Sequence, residues 1–123
     1  MKLDILIVDD SVAIRKILQR VLGKAEVPLG NVFEAGDGQE ALAVLERQKV
    51  GLVLSDINMP NMDGLEFLRQ VKANGTLKEV PIVMVTTEGS KAKVMEAVEL
   101  GAAGYVRKPF TAEQIKEKLA GLY

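Results

Sequence analysis

The chain has 123 residues, with 16 lysines and arginines against 17 acidic residues, and it contains no cysteine and no histidine. These absences exclude disulfides, cysteine- or histidine-bound metal ions, a Ser-His-Asp triad and a phosphohistidine on this chain, so any metal ion is predicted to be a hard cation with oxygen ligands. The near-neutral charge and the 4% aromatic content argue against a nucleic-acid or anionic-membrane surface.

Short apolar runs and helical patterns alternate along the chain. The run Ile5–Val8 is unbroken and rich in β-branched residues, which is typical of a strand covered on both faces of a parallel sheet. Apolar residues in Ile14–Leu22 recur at helical spacing, with Gly23 as a candidate stop. Val32-Phe33 is a weaker strand candidate. The segment Asp37–Leu45 begins like a capping box and is predicted to form the second helix.

The second half of the chain repeats this alternation. Leu52–Leu54 and Ile82–Val85 are further apolar strand candidates, and Tyr105-Val106 is a weaker one. The segment Asp63–Val71 begins like a capping box and is predicted to form the third helix. The apolar spacing in Val94–Gly101 indicates a fourth helix.

The fifth helix has the clearest start signal. Thr111 and Gln114 form a capping-box pattern, and Phe110 and Ile115 stand at the two positions of a hydrophobic staple. The strand–helix unit thus occurs five times, and right-handed crossovers arrange such units as an α/β sandwich on a parallel sheet. Because there is no linker and no apolar run long enough to span a membrane, residues 1–123 are predicted to form one soluble, cytoplasmic domain. Nothing in the sequence requires more than a monomer.

Polar residues follow four of the five predicted strands at the point where each strand ends. Because the carboxyl ends of parallel strands share one edge of the sheet, where ligands bind, these residues are expected to lie close together. Taken singly, each has an ordinary role in a turn, a strand or a solvated surface, so the prediction depends on their joint placement. They are Asp9 and Asp10 after the first strand, Asp56 and Asn58 after the third, Thr86, Thr87 and Glu88 at the end of the fourth, and Lys108 after the fifth.

Three carboxylates at close range repel one another and raise one another's pKa values unless a cation lies among them. Mg²⁺ suits such a cluster, because it uses few carboxylates and keeps positions for water and phosphate oxygens. Lys108 and a hydroxyl facing the ion would contact the equatorial oxygens of a phosphoryl group. The sequence therefore predicts phosphoryl transfer, with Asp56 as the nucleophile and an aspartyl phosphate as the product.

With these residues in place, the whole chain resembles the receiver domain of two-component response regulators, and within that family the single-domain chemotaxis regulators. After the paired acids, the resemblance is carried by Ser55–Gly64 (SDINMPNMDG), Val83–Thr87 (VMVTT) and Gly104–Thr111 (GYVRKPFT), in that order. It implies a flavodoxin-like (βα)5 three-layer sandwich whose five parallel strands have the order 2-1-3-4-5. It also implies a cis peptide bond at Lys108–Pro109.

The resemblance implies roles for the clustered residues. Asp56 is expected to accept a phosphoryl group from the phosphohistidine of a histidine kinase. Asp9 and Asp10 are expected to bind Mg²⁺ together with Asp56 and the backbone carbonyl of Asn58. Lys108 is expected to pair with the phosphoryl group.

A second set of residues is expected to switch the protein and time its signal. Thr86 resembles the hydroxyl that moves onto the phosphoryl group, and Tyr105 the aromatic residue whose rotamer follows it. Asn58 and Glu88 resemble the pair that controls the approach of water and hence the lifetime of the phosphoryl group. The switch is expected to alter a partner-binding face formed by the fourth helix, fifth strand and fifth helix, with the flagellar motor switch as one target. Thr87 departs from the family, where Ala or Gly is common, and its bulk is expected to narrow the mouth of the site.

Two alternatives from other functional classes stay open. A magnesium phosphohydrolase of the haloacid-dehalogenase type also uses an aspartyl phosphate, but its first strand carries D-x-D, whereas Asp9 and Asp10 are adjacent, and no cap domain is present. The chain also fits a receiver domain cut from a longer DNA-binding regulator. The receiver interpretation predicts a signalling domain that is not an enzyme and catalyses only its own phosphorylation and dephosphorylation.

Two further motif matches have simpler explanations. Gly36–Ala41 matches G-x-G-x-x-A, but Asp37 and Glu40 would stand where a pyrophosphate must bind, so a turn and a helix cap are predicted instead. The segment that starts at Asp56 begins like a calcium-binding loop, but Pro60 occupies a ligand position and Asn61 stands where the loop needs glycine.

Overall fold

The computed structural model describes residues 2–87 and 91–122. Within these residues, five parallel strands form one sheet in the order β2-β1-β3-β4-β5. The predicted α/β class and the strand order implied by the family resemblance are both confirmed. The strands are β1 (Leu3–Val8), β2 (Leu29–Ala35), β3 (Leu52–Ser55), β4 (Ile82–Thr86) and β5 (Gly104–Arg107).

Helices cover both faces of this sheet. On one face, buried residues of α1 and α5 pack on β1 side chains such as Ile5 and Ile7. On the other, α2, α3 and α4 pack on Leu6 and Val8. Because both faces are covered, the central strands contain unbroken apolar runs (Ile5–Val8, Leu52–Leu54 and Ile82–Val85), whereas the edge strands β2 and β5 do not. The helices are α1 (Val12–Lys24), α2 (Gly38–Arg47), α3 (Gly64–Ala73), α4 (Lys91–Glu99) and α5 (Ala112–Leu119).

The register of the central strands decides what meets at the carboxyl edge. Val8, the last residue of β1, pairs with Ser55, the last residue of β3. The next residue on each strand is an aspartate, and the backbone N–H of Asp56 donates to the carbonyl oxygen of Val8 at 2.8 Å. Asp9 and Asp56 are therefore brought side by side by strand pairing, before any side-chain interaction is considered.

The predicted helix caps are confirmed at three starts. The side chains of Asp37, Asp63 and Thr111 each accept a hydrogen bond from the third residue of α2, α3 and α5. The full capping box forms at α5, where Gln114 also accepts from the Thr111 N–H at 2.9 Å. At α2 the capping box is incomplete. The Glu40 carboxylate accepts a hydrogen bond from the N–H of Gly36, the residue before the N-cap, instead of from the N–H of the N-cap Asp37.

The predicted stop of the first helix is wrong. Helix α1 continues through Gly23 to Lys24, and Ala25 caps it by donating to the Val21 carbonyl at 2.9 Å. Ala25 is buried against the sheet, so packing extends the helix by one residue beyond the glycine. None of the helices within 2–87 and 91–122 combines the length and apolar content that crossing a bilayer requires.

Candidate functional site

An acidic cluster lies at the carboxyl edge of the sheet, beside the point where the strand order reverses. Carboxylate oxygens of Asp9, Asp10 and Asp56 all lie within 4.8 Å of one another. Asp9 and Asp56 are buried at the ends of adjacent strands, whereas Asp10 is exposed. The structure therefore brings together the three acids that the sequence analysis placed at this edge.

Lys108 provides the positive charge of the cluster. Its Nζ lies 2.7 Å from Asp9 Oδ2 and 3.4 Å from Asp56 Oδ2, and its side chain is only 9% exposed. The lysine is held at this edge because its backbone N–H donates to the Thr86 carbonyl at 2.7 Å. The Lys108–Pro109 peptide bond that follows is cis, as the family resemblance implies.

Burial affects the pKa of Asp56 more than its charged neighbours do. Burial raises the pKa of the Asp56 carboxyl above its ordinary value, Lys108 opposes this shift, and Asp9 adds to it. Asp56 Oδ1 accepts a hydrogen bond from the Ile57 N–H at 2.7 Å, which leaves Oδ2 toward the lysine. The Lys108 ammonium pairs with two of the three clustered carboxylates, so these four side chains together carry an excess of negative charge.

The donor set of this cluster fits Mg²⁺. It consists of the hard carboxylate oxygens of Asp9, Asp10 and Asp56. Mg²⁺ prefers oxygen ligands, uses one or two carboxylates and keeps several water molecules. A divalent cation would also neutralise the excess negative charge, which Lys108 alone does not.

Asp9 is supported from two sides. The Ser11 N–H donates to Asp9 Oδ1 at 2.9 Å, and the Arg15 guanidinium donates to the Asp9 carbonyl oxygen at 2.6 Å. Arg15 also pairs with Glu34 on β2 at 2.9 Å. Arg15 was not among the predicted site residues, since its contact with the end of β1 depends on how α1 packs and only its position one turn after the Ser11 cap was visible in the sequence.

The family of this chain follows from its match to a known protein family. The family described as Response regulator receiver domain matches residues 5–120. The chain belongs to this family.

Individual relatives of this receiver domain extend the comparison. Chemotaxis protein CheY-3 of Vibrio cholerae serotype O1 is 39% identical over 119 residues, covering 97% of this chain and 90% of the relative. Chemotaxis protein CheY of Pseudomonas aeruginosa is 40% identical over 119 residues, covering 97% and 94%. The solved structure of chemotaxis response regulator CheY4 of Vibrio cholerae has a TM-score of 0.86 at 36% identity and covers 100% of both chains.

Other predicted residues of the receiver domain lie around the cluster. Thr86 is the last residue of β4 and is buried, whereas Thr87 is exposed and lines a cleft with Lys108. The Asn58 side chain is exposed and accepts a hydrogen bond from Lys93 of α4 at 2.8 Å, a contact that the sequence analysis missed. Glu88 lies outside the residues that the structure describes.

Tyr105 lies on the outer surface of the receiver domain. Its side chain is 38% exposed, and Lys118 Nζ of α5 stands 5.4 Å from the centre of its ring, within the range of a cation–π interaction. The ring borders an apolar cleft of about 430 Å³ whose lining includes the exposed Met95 and Val98 of α4. The predicted aromatic residue is therefore placed on the face that α4, β5 and α5 form.

The two competing motif matches are explained locally. Asp37 caps α2 and Gly38 packs against Met62, so the glycines of the G-x-G-x-x-A match serve a turn and a close contact. Asn61, which stands where a calcium-binding loop needs glycine, does adopt the left-handed conformation, with φ of 65°. The calcium-loop match still fails, because Pro60 occupies a ligand position and the buried Phe67 stands where the loop needs a bidentate glutamate.

Proposed function

We propose that this receiver domain, acting as one unit over residues 1–123, is a phosphorylation-dependent switch. An oxygen of the Asp56 carboxylate attacks the phosphorus of a phosphohistidine on a histidine kinase. The P–N bond breaks, the imidazole leaves, and an aspartyl phosphate forms. Water later cleaves the acyl phosphate, which restores the carboxylate and releases inorganic phosphate. The observation that carries this proposal is the placement of Lys108 between two buried carboxylates at the carboxyl edge.

Mg²⁺ bound by Asp9, Asp10, Asp56 and the Asn58 carbonyl would supply charge neutralisation for the phosphoryl oxygens during transfer. Lys108 contributes the second cation, since its Nζ already lies 3.4 Å from Asp56 Oδ2. Positive charge placed before the reaction stabilises the charge that spreads over the transferring group. This chain has no histidine, so the phosphoryl donor must be another molecule.

The output of the switch is proposed to be the face formed by α4, β5 and α5. Thr86 stands at the end of β4, where its hydroxyl would contact a phosphoryl oxygen on Asp56. Tyr105 would then turn inward from its exposed position and reshape the cleft beside Met95 and Val98. Moving such an equilibrium from 1:99 to 99:1 takes about 5.5 kcal/mol, which a few charge-assisted hydrogen bonds of about 1.5–3 kcal/mol each supply.

The biological setting is proposed from the relatives. Those reported above bear the name of chemotaxis proteins, which supports a role in chemotaxis with a flagellar motor protein as the target of this face. The family match favours this function over the phosphohydrolase alternative. The adjacent placement of Asp9 and Asp10 agrees, because the nucleophile of that enzyme class would belong to a D-x-D pair on β1.

The proposal is tested by labelling with a small phosphodonor. Acetyl phosphate with Mg²⁺ should add one phosphoryl group per chain, detected by intact mass, and chelation of the metal should abolish the addition. Asp56→Ala should not be labelled, whereas Asp63→Ala, which alters an exposed helix cap nearby, should be labelled normally. Labelling of Asp56→Ala, or continuous turnover of a phosphate ester, would contradict the switch.

A further inference from the structure

The start of helix α2 is joined to the loop that follows the phosphoacceptor strand. This loop comprises residues 57–63 and is called the β3–α3 loop below. Asn61 Nδ2 donates to Asp37 Oδ2 at 2.8 Å, and the Gly38 N–H donates to the Met62 carbonyl oxygen at 2.9 Å. Two hydrogen bonds therefore connect elements that are more than twenty residues apart in sequence.

Asp37 serves the helix and the loop with different oxygens. Its Oδ1 accepts from the Glu40 N–H at 2.8 Å, which is the cap of α2, and its Oδ2 is the atom that Asn61 contacts. The side chain is only 5% exposed. The hydrogen bond from Asn61 is the largest of the effects that lower the pKa of Asp37, so the carboxylate is ionised and the bond is charge-assisted.

The loop is shaped to make this contact. Asn61 has φ of 65°, a left-handed conformation that asparagine tolerates better than most residues. Gly38 allows the close approach, since a Cβ there would lie 2.7 Å from Met62 Cγ and 2.9 Å from its carbonyl oxygen. Both residues are of the type that the geometry requires.

The other end of the loop is fixed at the site itself. The Ile57 N–H donates to Asp56 Oδ1 at 2.7 Å, and the Gly64 N–H donates to the Ile57 carbonyl at 2.7 Å. Asn58 stands between this fixed end and the Asp37–Asn61 contact. The backbone of Asn58 is thus held from both directions, although its side chain is exposed.

We propose that Asp37 and Asn61 form a latch that fixes the β3–α3 loop and thereby sets the affinity of the acidic cluster for Mg²⁺. The inference rests on the proposed function, which assigns the Asn58 carbonyl to the metal. Asp37 and Asn61 act as positioning residues: neither contacts the ion, and both lie outside the acidic cluster. With the latch open, the carbonyl must be ordered when the ion binds, and that entropy cost weakens binding.

Two single substitutions open the latch from opposite sides. Asn61→Gly keeps the left-handed backbone but removes the amide, and Asp37→Ser keeps an N-cap but removes the oxygen that Asn61 contacts. Asp37→Asn is the conservative variant: its amide oxygen keeps the cap of α2, and its NH2 donates to Asn61 Oδ1 once the Asn61 amide flips, so a neutral hydrogen bond replaces the charge-assisted one. Asp63→Ser is the matched control, since it makes the same cap change at α3, where the side chain accepts a hydrogen bond from the Glu66 N–H of its own helix.

Two readouts are measured without any phosphoryl donor. Calorimetric titration with Mg²⁺ alone should show a dissociation constant raised about fivefold in Asn61→Gly and Asp37→Ser, which equals about 1 kcal/mol. In metal-free protein, the Gly38 amide should exchange its hydrogen faster in both variants. This amide is at the first residue of α2, where no intrahelical partner exists, so its protection reports the contact with Met62. Asp63→Ser should resemble the unaltered protein in affinity, and Asp37→Asn should lie between the unaltered protein and Asp37→Ser.

The double variant Asn61→Gly/Asp37→Ser separates a latch from two unrelated defects. Because both substitutions remove the same bond, the double variant should bind Mg²⁺ about as well as either single one. Additive losses, or single variants that bind Mg²⁺ like the unaltered protein while Asp56 is still labelled, would overturn the latch and leave the proposed function intact. If the unaltered protein itself does not bind Mg²⁺, the proposed metal site and the latch fail together.

Discussion

Neutralising Asp56 should make the metal-free protein more stable. The carboxylate is buried, with a side chain 12% exposed, and its pKa is raised mainly by that burial. At neutral pH the folded protein must therefore keep a charge where solvation is poor and two other carboxylates are close. Asp56→Asn removes this charge and retains an oxygen to accept the Ile57 N–H.

The size of the effect follows from the distances. At an effective dielectric constant of about 20, charges separated by the 4.8 Å that bounds the acid cluster repel by about 3.5 kcal/mol per pair. The attraction to Lys108 at 3.4 Å is about 5 kcal/mol on the same basis. The repulsions of Asp56 by Asp9 and Asp10 together exceed its attraction to Lys108 by about 2 kcal/mol. Solvent screening of the exposed Asp10 reduces this excess, and the desolvation of Asp56 increases it. We expect Asp56→Asn to gain about 2 kcal/mol, or about 5–10 °C in Tm for a domain of this size.

The sign of the pH dependence is a separate check. Because the pKa of Asp56 is higher in the folded than in the unfolded chain, this group favours folding at low pH and opposes it progressively as pH rises through the folded value. The advantage of Asp56→Asn should thus be present at neutral pH and vanish below the ordinary carboxyl pKa of 3.8. Bound Mg²⁺ should also remove it, because the ion stabilises the carboxylate form.

The assay is thermal unfolding followed by circular dichroism, in chelator and in Mg²⁺, at neutral and at acidic pH. Asp63→Asn is the control, since it exchanges one good helix cap for another at an exposed position. The reasoning would be refuted if Asp56→Asn lowered Tm in chelator. It would be refuted equally if the gain were the same with and without Mg²⁺.

Two further substitutions, each with a control variant, have definite expectations. Lys93→Met should free the Asn58 amide oxygen to orient water, and should therefore speed loss of the phosphoryl group about threefold. Lys93→Arg keeps a hydrogen-bond donor and should leave the rate unchanged. The rate is measured by timed decay of the labelled protein. Gly64→Ala should cost about 2–3 kcal/mol in urea unfolding, because its Cβ would overlap the Asp56 carbonyl oxygen. Gly75→Ala, where nothing lies within 4 Å of a Cβ, should change stability by less than about 0.5 kcal/mol.

The predictable elements are those whose sequence pattern depends on residues close together in the chain, or on a sheet that is buried on both faces. The apolar run Ile5–Val8 identifies a central strand because both of its faces are buried, so every residue must be apolar. The capping box at Thr111 was predictable because both of its hydrogen bonds join residues of one turn. The end of α1 was not, since it depends on the burial of Ala25 against strands far away in sequence.

The same distinction divides the site. The meeting of Asp9 with Asp56 was predictable because parallel topology places all carboxyl ends at one edge, and the strand pairing of Val8 with Ser55 completes the alignment. The contacts of Lys93 with Asn58 and of Asp37 with Asn61 join residues 35 and 24 apart. They depend on where α4 lies and on how the β3–α3 loop turns, and no residue pattern within one element specifies either.

These contacts surround a cluster that carries more negative than positive charge. The excess follows from the fold, which places the acidic residues at neighbouring strand ends. Strand pairing places Asp9 beside Asp56, and the neighbouring Asp10 adds a third negative charge. Lys108 compensates one of these three charges. A metal ion binds such a cluster with a free energy that includes relief of the repulsion, so Mg²⁺ should raise Tm by more in the unaltered protein than in Asp56→Asn. In the proposed function, phosphorylation of Asp56 would add negative charge to the same place, and the groups expected to respond are those that can donate to it: the ammonium of Lys108 and the hydroxyl of Thr86. The repulsion in the metal-free cluster and the proposed switch would thus have one electrostatic origin.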